Sequence, residues 1–156
     1  APDSKGLAAR RAYGLRSARE EALEGFPAIM NSALPAGRAL SAGRARAPAD
    51  EDTLVVTILI ALMARLDDTC LAARGGLGAL REAQRRAEDI LAAGGPASPR
   101  GGALYEAMRD DFARRRLSPG GSADLCAATL FLLELEAPVH SPDPLASPLA
   151  AVAPRV

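Results

Sequence analysis

The sequence predicts an all-α protein, a multi-helix bundle around one buried, apolar central helix. Apolar residues make up 49% of the 156 residues, whereas aromatic residues make up only 3%. Much of the apolar fraction is Ala, and such a composition favours closely packed helices over a sheet. The longer apolar segments also repeat with a helical period instead of alternating. The length is sufficient for one domain with its own core.

Two helices are predicted in the first third of the chain. Residues 1–13 show no clear periodicity, and we expect a linker or a frayed end there. A helix is predicted over residues 15–24, and Gly25 and Pro27 separate it from a second helix over residues 27–40. Pro35 should kink or split that second helix because proline has no amide hydrogen to donate. Residues 43–49 are predicted to form a loop.

The central helix is predicted over residues 51–66, with Asp50 as its N-cap. The residues from Leu54 to Met63 leave almost no polar face, and a helix that is apolar all round belongs inside a bundle. A buried strand would have a similar composition, but the length and the cap favour a helix. The uninterrupted apolar run of about eleven residues is shorter than the roughly twenty that span a bilayer.

The second half of the chain contains three further helical patterns. An amphipathic helix is predicted over residues 77–93, ended by Gly94 and Gly95. Ser98 and Pro99 can open the next helix, which is clearest over residues 103–116, and a last apolar helix is predicted over residues 122–136. Residues 137–156 are rich in Pro, Ser and Ala and are predicted to be a disordered tail after a single domain of residues 1–136.

Two acidic residues, Asp67 and Asp68, follow the predicted central helix. Negative charge at a helix C-terminus opposes the helix dipole, and adjacent carboxylates repel each other. Such a pair suits Mg²⁺ when the phosphates of a substrate complete the shell of oxygen ligands. The alternative is that the pair begins a solvated loop. Arg74 is the nearest cation in the sequence, and it could clamp a phosphate or form an ordinary surface ion pair.

A glycine-rich turn, SPGGS at residues 118–122, precedes the last helix. Gly120 and Gly121 let a ligand approach the main chain, and Ser122 is predicted to be the N-cap, with Asp124 in the first turn. The free amides of such a helix start form an anion site suited to a phosphate. The alternative is an ordinary capped helix. The turn is not a Walker loop, because the Lys-Ser/Thr ending is absent.

Charge and cysteine usage restrict the class of protein. The formal net charge is zero, which gives no indication of a general nucleic-acid surface. Cys70 and Cys126 are far apart, and the single His140 leaves no metal finger or triad, so we expect two buried free thiols in a reducing compartment. The expectation is a cytoplasmic protein that binds neither nucleic acid nor membranes.

Three motifs then stand in a defined order: REEALEGFPAIMNSALP, LMARLDDTCLAARGG and ARRRLSPGGSADLCAATLFL. Together they resemble the triphosphoribosyl-dephospho-coenzyme A synthase family over roughly residues 13–136. The resemblance implies an all-helical transferase that joins ATP to 3′-dephospho-CoA and releases adenine. Its product, 2′-(5″-triphosphoribosyl)-3′-dephospho-CoA, is the precursor of the prosthetic group on the acyl-carrier subunit of citrate lyase or malonate decarboxylase.

The positions that match the family's motifs are the candidate site. We expect Asp67, Asp68 and Asp124 to be catalytic, and Asp67 and Asp68 also to bind Mg²⁺. The candidate nucleotide-binding residues are Arg74, Gly75, Gly76, Ser118, Gly120, Gly121 and Ser122. Three further positions, Glu21, Gly25 and Pro27, match the upstream motif.

The resemblance also implies that the chain is the C-terminal part of a longer domain. Family members extend further at the N-terminus, through helices with an acidic, His-containing motif. We therefore expect this chain alone to be inactive, and to act with a chain that carries the remaining part or as a homo-oligomer. Two alternatives stay open: a non-catalytic helical fragment or binding module, and another Mg²⁺-dependent helical enzyme that acts on a phosphate ester or ADP-ribose.

Overall fold

The computed structural model of the chain describes residues 4–16, 18–44 and 51–136, and no strand occurs within these ranges. The predicted all-α class is confirmed. No helix in this part of the chain has both the length and the apolar character needed to cross a membrane. The predicted cap Asp50, most of the predicted loop and the tail of residues 137–156 lie outside the described residues, and the domain division stays a prediction.

Seven α-helices and one π-helical segment account for the regular structure of the described residues. In chain order they are α1 (Lys5–Tyr13), α2 (Ala18–Leu23), the π segment (Ile29–Ala33), α3 (Leu34–Arg44), α4 (Glu51–Met63), α5 (Thr69–Ala92), α6 (Pro99–Arg115) and α7 (Gly120–Glu136). Five of these seven α-helices (α2, α3, α4, α6 and α7) fall within the predicted helical segments or extend them by a few residues at one end, whereas α5 begins eight residues early and α1 was not predicted.

Helix α1 occupies the segment that was expected to be a linker or a frayed end, so that prediction was wrong. The Ser4 hydroxyl accepts a hydrogen bond from the Leu7 amide at 3.2 Å and caps the N-terminus. Gly14 ends the helix in the left-handed region, at φ 64°. Ala9 is buried, and α1 packs along α5. Good helix formers and two caps thus produce a helix whose apolar periodicity is weak.

Helix α4 contributes to both apolar clusters of the bundle. Its residue Ile60 packs with residues of α5 and α6, whereas Ile58 and Leu62 pack with the π segment, α3 and α7. These three side chains are completely buried. Val55 on the same helix is 38% exposed. The helix ends at Met63, three residues before the predicted end, and a turn leads from it to Asp67 and Asp68.

The predicted split at Pro35 takes the form of a π turn. The Leu34 amide donates to the carbonyl of Ile29, five residues earlier, and Pro35 follows as the second residue of α3. A proline cannot donate to the carbonyl four residues before it, so the regular α pattern is interrupted at this point. Helix α3 continues to Arg44, so the predicted loop start at residue 43 was wrong.

Helix α5 begins eight residues before the predicted start at residue 77. It contains one non-helical residue, Gly76, at φ 74° and ψ 177°, which separates a short helical segment from the predicted amphipathic one. The opening of α6 was predicted correctly, since the Ser98 hydroxyl accepts from the Gly101 amide at 3.0 Å and Pro99 is the first helical residue.

Candidate functional site

The Asp68 carboxylate lies where α5 and α7 begin. Its Oδ1 accepts hydrogen bonds from the amides of Cys70 and Leu71, at 2.9 and 3.2 Å, and so caps α5. Its Oδ2 accepts from both the amide and the hydroxyl of Ser122, at 2.8 and 2.9 Å. Asp68 is 1% exposed and Ser122 is fully buried. A carboxylate in this place is favoured by the dipoles of both helices.

The prediction that the charge of Asp68 opposes a helix dipole was therefore wrong. The turn after Met63 separates Asp68 from the end of α4, and the residue is the N-cap of the next helix. The alternative of a solvated loop start is wrong for Asp68 as well, because the side chain is buried and accepts four hydrogen bonds. Buried polar groups are stable when their hydrogen bonds are complete in this way.

The start of α7 also differs from the prediction that Ser122 is its N-cap. The helix begins at Gly120, and its first intrahelical bond runs from the Ala123 amide to the Pro119 carbonyl at 2.9 Å. The Ser122 amide is thus one of the helix-start amides that have no carbonyl partner within the helix. It donates to Asp68. An anion does occupy this helix start, but it is a carboxylate of the same chain.

Three of the candidate glycines allow close packing around this junction. A Cβ on Gly120 would lie 2.8 Å from Cys70 Sγ, and one on Gly75 would lie 2.8 Å from Leu117 Cδ2. Both distances are shorter than a comfortable contact, so a side chain at either position would force its neighbours apart. A Cβ on Gly121 would lie 3.4 Å from Asp68 Cγ, at the edge of ordinary contact. The role of these glycines in nucleotide binding stays a prediction.

Asp67 has a different set of neighbours from Asp68. Its Oδ1 accepts from the Arg81 guanidinium at 3.0 Å and from the Gln84 amide group at 3.5 Å. Its Oδ2 accepts from the backbone amide of Arg16 at 3.3 Å. The side chain is 18% exposed. Asp67, Asp68, Thr69 and Gly121 line one narrow cleft, so the structure brings the Asp pair and the glycine-rich turn together.

Two further candidate residues lie at different distances from this cleft. The Arg74 guanidinium donates to the Ser118 carbonyl at 3.5 Å, which places an exposed cation beside the SPGG turn. Asp124 is exposed on α7 and is not among the residues that line the cleft. The structure therefore groups Arg74 and Ser118 near the junction and leaves Asp124 outside it.

The described residues do not form a complete metal site. Within residues 4–16, 18–44 and 51–136, no three His, Cys, Asp or Glu side chains converge as metal ligands. Both oxygens of Asp68 already accept two hydrogen bonds each, so Asp68 does not fit as a direct ligand of Mg²⁺ in this arrangement. Asp67 is the carboxylate of the pair that has some solvent exposure, and a metal there would need its other ligands from a substrate or water.

Helix α5 also carries a partly exposed network of ion pairs with α6. Asp111 contacts Arg86 at 3.1 Å and Arg115 at 2.9 Å, and Arg115 also contacts Glu82 at 2.8 Å. The hydrogen bond from Arg115, with the charges of Arg115 and Arg86, lowers the pKa of Asp111. Arg115, just before the SPGG turn, is thus engaged by carboxylates of α5 and α6.

A second concavity adjoins the Asp67 side of the junction and was not predicted from the sequence. It has a volume of about 310 Å³, and its lining includes Arg16, Asn31, Ser32 and Arg65. Asn31, Ser32 and Arg65 each lie within one of the quoted motifs and Arg16 lies outside them, and only the fold brings the four residues to one cavity. The nearest indication was the match of Glu21 and Pro27, which also line it, to the upstream motif.

Fold and site together define an all-helical protein with a buried aspartate–serine pair where two helices begin, beside an exposed arginine. Sequence comparison narrows this class. The chain belongs to the ATP:dephospho-CoA triphosphoribosyl transferase family, whose sequence profile matches residues 1–143. The resemblance inferred from the three motifs is confirmed.

Relatives with assigned names are similar to most of the chain. The probable 2-(5″-triphosphoribosyl)-3′-dephosphocoenzyme-A synthase of Stutzerimonas stutzeri is 43% identical over 141 residues, which are 90% of this chain and 47% of that protein. The protein of the same name from Azotobacter vinelandii is 42% identical over 142 residues, with the same two shares. The 2-(5″-triphosphoribosyl)-3′-dephosphocoenzyme-A synthase of Klebsiella pneumoniae is 45% identical over 129 residues, 83% of this chain and 45% of that protein.

The chain spans about half the length of these curated relatives. No solved structure matches it.

Proposed function

We propose that the chain takes part in the transfer of a triphosphoribosyl group from ATP to 3′-dephospho-CoA. The product would be 2′-(5″-triphosphoribosyl)-3′-dephospho-CoA, with release of adenine, for the prosthetic group of malonate decarboxylase or citrate lyase. The observation that carries the proposal is the family match over residues 1–143, together with relatives of that name at 40–45% identity. A cytoplasmic location is part of the same proposal.

The proposed reaction is a glycosyl transfer at the ribose C1′ of ATP. The 2′-hydroxyl oxygen of dephospho-CoA forms a bond to C1′ while the bond from C1′ to N9 of adenine breaks. Adenine leaves with the bonding electron pair and gains a proton, and the hydroxyl group loses one. Positive charge develops on the sugar in such a reaction, so carboxylates nearby would stabilise the transition state.

The geometry supports different roles for the two adjacent aspartates. Asp68 would position the glycine-rich turn, since its four hydrogen bonds tie the starts of α5 and α7 together. Asp67, which is partly exposed at the cleft, would act on the substrate as base, charge stabiliser or metal ligand. Arg74 would clamp a phosphate beside Ser118, where its guanidinium already lies. A catalytic role for Asp124 has less support, because that residue is exposed outside the cleft.

Mg²⁺ is proposed to accompany the triphosphate of ATP. When bound, it would neutralise phosphate charge and fix the orientation of the nucleotide. Asp67 is the carboxylate of the pair that would hold it, since its side chain is partly exposed at the cleft, where Arg81 and Gln84 also contact it. Asp68 is not proposed as a direct ligand.

Turnover is proposed to require more than this chain. A site that holds two nucleotides and excludes water usually takes residues from several elements around a cleft. The narrow cleft at Asp67 and Asp68 is too small for that. The remaining elements would come from a chain that corresponds to the rest of the family's length, or from a second copy.

The test is an assay of adenine release. The purified chain is incubated with ATP, dephospho-CoA and Mg²⁺, alone and together with a fragment that supplies the half of the Klebsiella pneumoniae relative that this chain does not match. We expect adenine and the triphosphoribosyl product in equal amounts from the mixture and neither from the chain alone. The Asp67→Asn variant should reduce release, whereas Arg85→Asn, on the solvent face of α5, should not.

Other outcomes would support the alternatives. ATP cleavage to ADP or AMP without adenine would indicate another phosphate-ester enzyme. No nucleotide binding and no reaction in the mixture would indicate a non-catalytic module. Full activity of the chain alone would contradict the proposed need for further elements.

A further inference from the structure

The concavity beside Asp67 has the size and the lining of a ligand site. At about 310 Å³ it lies at the lower end of the range of roughly 300–1,000 Å³ that small-molecule pockets occupy. It lies between α2, the π segment and the turn after α4. Its lining residues are Arg16, Glu21, Pro27, Ala28, Asn31, Ser32 and Arg65. All of these side chains, except the apolar ones of Pro27 and Ala28, can form hydrogen bonds to a polar ligand.

Two arginines from distant parts of the chain, Arg16 and Arg65, are among its lining residues. Arg16 pairs with Glu24, with both side chains about half exposed, and the Arg65 guanidinium lies 3.9 Å from Glu88 with 63% of its side chain exposed. Exposed ion pairs of this kind contribute little to stability. A phosphate can therefore replace the carboxylate partners at small cost, and a guanidinium binds phosphate through two parallel hydrogen bonds.

A buried carboxylate forms the inner wall. Glu21 is 6% exposed, and its Oε2 accepts from the Ala28 amide at 3.1 Å, across the Gly25–Pro27 turn. A carboxylate is an acceptor with two oxygens, so Glu21 can also accept from the hydroxyls of a sugar. The exposed Asn31 side chain adds a donor and an acceptor at the rim.

The backbone around the cavity is unusual at two positions. Phe26 lies in the left-handed region at φ 56°, which is uncommon for an aromatic residue. The adjoining π segment is fixed on α4 by the Ser32 hydroxyl, which donates to the Ala61 carbonyl at 3.1 Å. Strained residues and π turns are found at functional sites more often than elsewhere. Both features shape the wall that carries Pro27, Ala28, Asn31 and Ser32.

We propose that this cavity binds a phosphorylated ribose, with Arg16 and Arg65 on the phosphate and Glu21 on the sugar hydroxyls. The inference rests on the proposed function, in which both ATP and dephospho-CoA carry such a group. It places one substrate next to Asp67, since the Arg16 amide also donates to that carboxylate. The experiment decides which of the two nucleotides supplies the ribose.

The chain offers two side-chain probes for this test. Asn31 is its single asparagine and Gln84 its single glutamine, so an amide-selective ¹⁵N NMR spectrum contains one side-chain NH₂ pair from each. Asn31 reports on the cavity, and Gln84 reports on Asp67. The labelled chain is titrated separately with ATP, dephospho-CoA, 2′-deoxy-ATP and inorganic triphosphate. We expect the Asn31 signals to shift with one of the two ribonucleotides, and more weakly with the deoxynucleotide or the triphosphate.

Variants distinguish the loss of specific phosphate contacts from a general loss of positive charge. The double variant Arg16→Gln/Arg65→Gln should raise the dissociation constant by at least about tenfold, because two charge-assisted contacts are lost. Glu21→Gln keeps an acceptor for the Ala28 amide and should reduce the preference for ATP over 2′-deoxy-ATP, or for dephospho-CoA over its 2′-deoxy form. Arg85→Gln removes one exposed charge from α5 and should leave the constant unchanged. Circular dichroism of each variant checks that the helices are retained.

The inference is overturned if neither ribonucleotide moves the Asn31 signals, or if the double variant binds as tightly as the wild type. If the reconstituted enzyme releases adenine and the double variant is unaffected, the proposed function stands and the proposed binding site is wrong. Nucleotide binding that depends on both arginines, without adenine release under any condition, would support the site and contradict the proposed reaction.

Discussion

Helix α5 makes two polar interfaces, and they differ in burial. Towards α7, Asp68 and Ser122 are almost completely excluded from solvent, and the carboxylate accepts from donors on both helices. Towards α6, the side chains of Asp111, Arg86 and Arg115 stay between 21% and 38% exposed. The polar groups are of similar kinds, but water can replace the partners only in the second interface. Burial, and not the number of charged residues, should therefore decide which interface the fold depends on.

The largest difference in stability is expected between the alanine variants of Asp68 and Asp111. Asp68→Ala removes the cap of α5 and leaves the buried Ser122 amide and hydroxyl without an acceptor, which should cost on the order of 3 kcal/mol of unfolding free energy. Asp111→Ala should change it far less. Urea unfolding of both variants measures the contrast, and equal effects would show that burial does not set the importance of the interface.

The second prediction concerns the space between α5 and α7. Gly120→Ala would place a Cβ 2.8 Å from Cys70 Sγ, and relief of this contact should cost about 1–3 kcal/mol. A methyl group added at Gly78 on α5 would meet no atom within 4 Å, so Gly78→Ala should instead stabilise the helix by up to about 1 kcal/mol. Thermal unfolding of the pair checks both signs, and a neutral Gly120→Ala would mean that Cys70 moves freely.

The next contrast in stability is between Asp67 and Asp68 when each is replaced by asparagine. If the Asp pair began a solvated loop, the alternative that the sequence left open, Asp68→Asn would leave the fold intact, and the burial of this side chain reverses that expectation. An asparagine NH₂ cannot accept from a donor, so Asp68→Asn should lose about 1–3 kcal/mol of unfolding free energy. Asp67→Asn should lose less than about 1 kcal/mol, because its Arg81 pair is partly exposed. Urea unfolding of the two variants measures this order.

Nucleotide binding should show the opposite order: Asp67→Asn, the variant with the smaller loss of stability, should have the larger effect on binding. Asp67→Asn is expected to weaken Mg²⁺-dependent ATP binding in a chain that unfolds normally. Unchanged ATP binding in this variant would contradict the proposed role of Asp67 at the substrate.

The smallest predicted effect is the pH dependence of the α5–α6 network. The pKa of Asp111 is lowered from its ordinary value of 3.8, so its ion pairs stabilise the folded state above that value and lose their effect as the pH falls through the lowered pKa. The difference between wild type and Asp111→Asn in the urea midpoint should be the same at about pH 7 and 5 and shrink towards pH 3. The neighbouring Asp110→Asn is the control. A difference in urea midpoint that grows as the pH falls would contradict the prediction.

The sequence was sufficient for the fold class and for most helices, because strong apolar patterns and local caps such as Ser98 act over a few residues. Helix α1 was missed because its residues favour a helix without a clear apolar stripe. The short helical segment from Thr69 was missed for another reason. Its N-cap is Asp68, and the sequence assigned Asp68 to the end of the preceding helix.

The candidate site was predicted as a group of residues but not as an arrangement. The motifs correctly brought Asp68 near Gly121, yet nothing local shows that Asp68 bonds to Ser122, 54 residues away. The roles of the glycines also depend on distant side chains, since Gly120 faces Cys70 and Gly75 faces Leu117. Long-range partners of this kind are set by packing, and a single sequence carries no direct record of them.

The π segment fixes how the rest of α3 is rotated. An i→i+5 turn holds one residue more than an α-helical turn, and each residue of an α-helix turns the chain by about 100°. Deletion of one residue between Ile29 and Ala33 would shorten this turn to α-helical length and rotate everything after it. Gly37, whose absent side chain leaves room for Leu133 and Ile58, would turn away from α7 and a neighbouring position with a side chain would take its place. The number of residues in this one turn therefore determines how α3 is rotated between the upstream motif and the last helix.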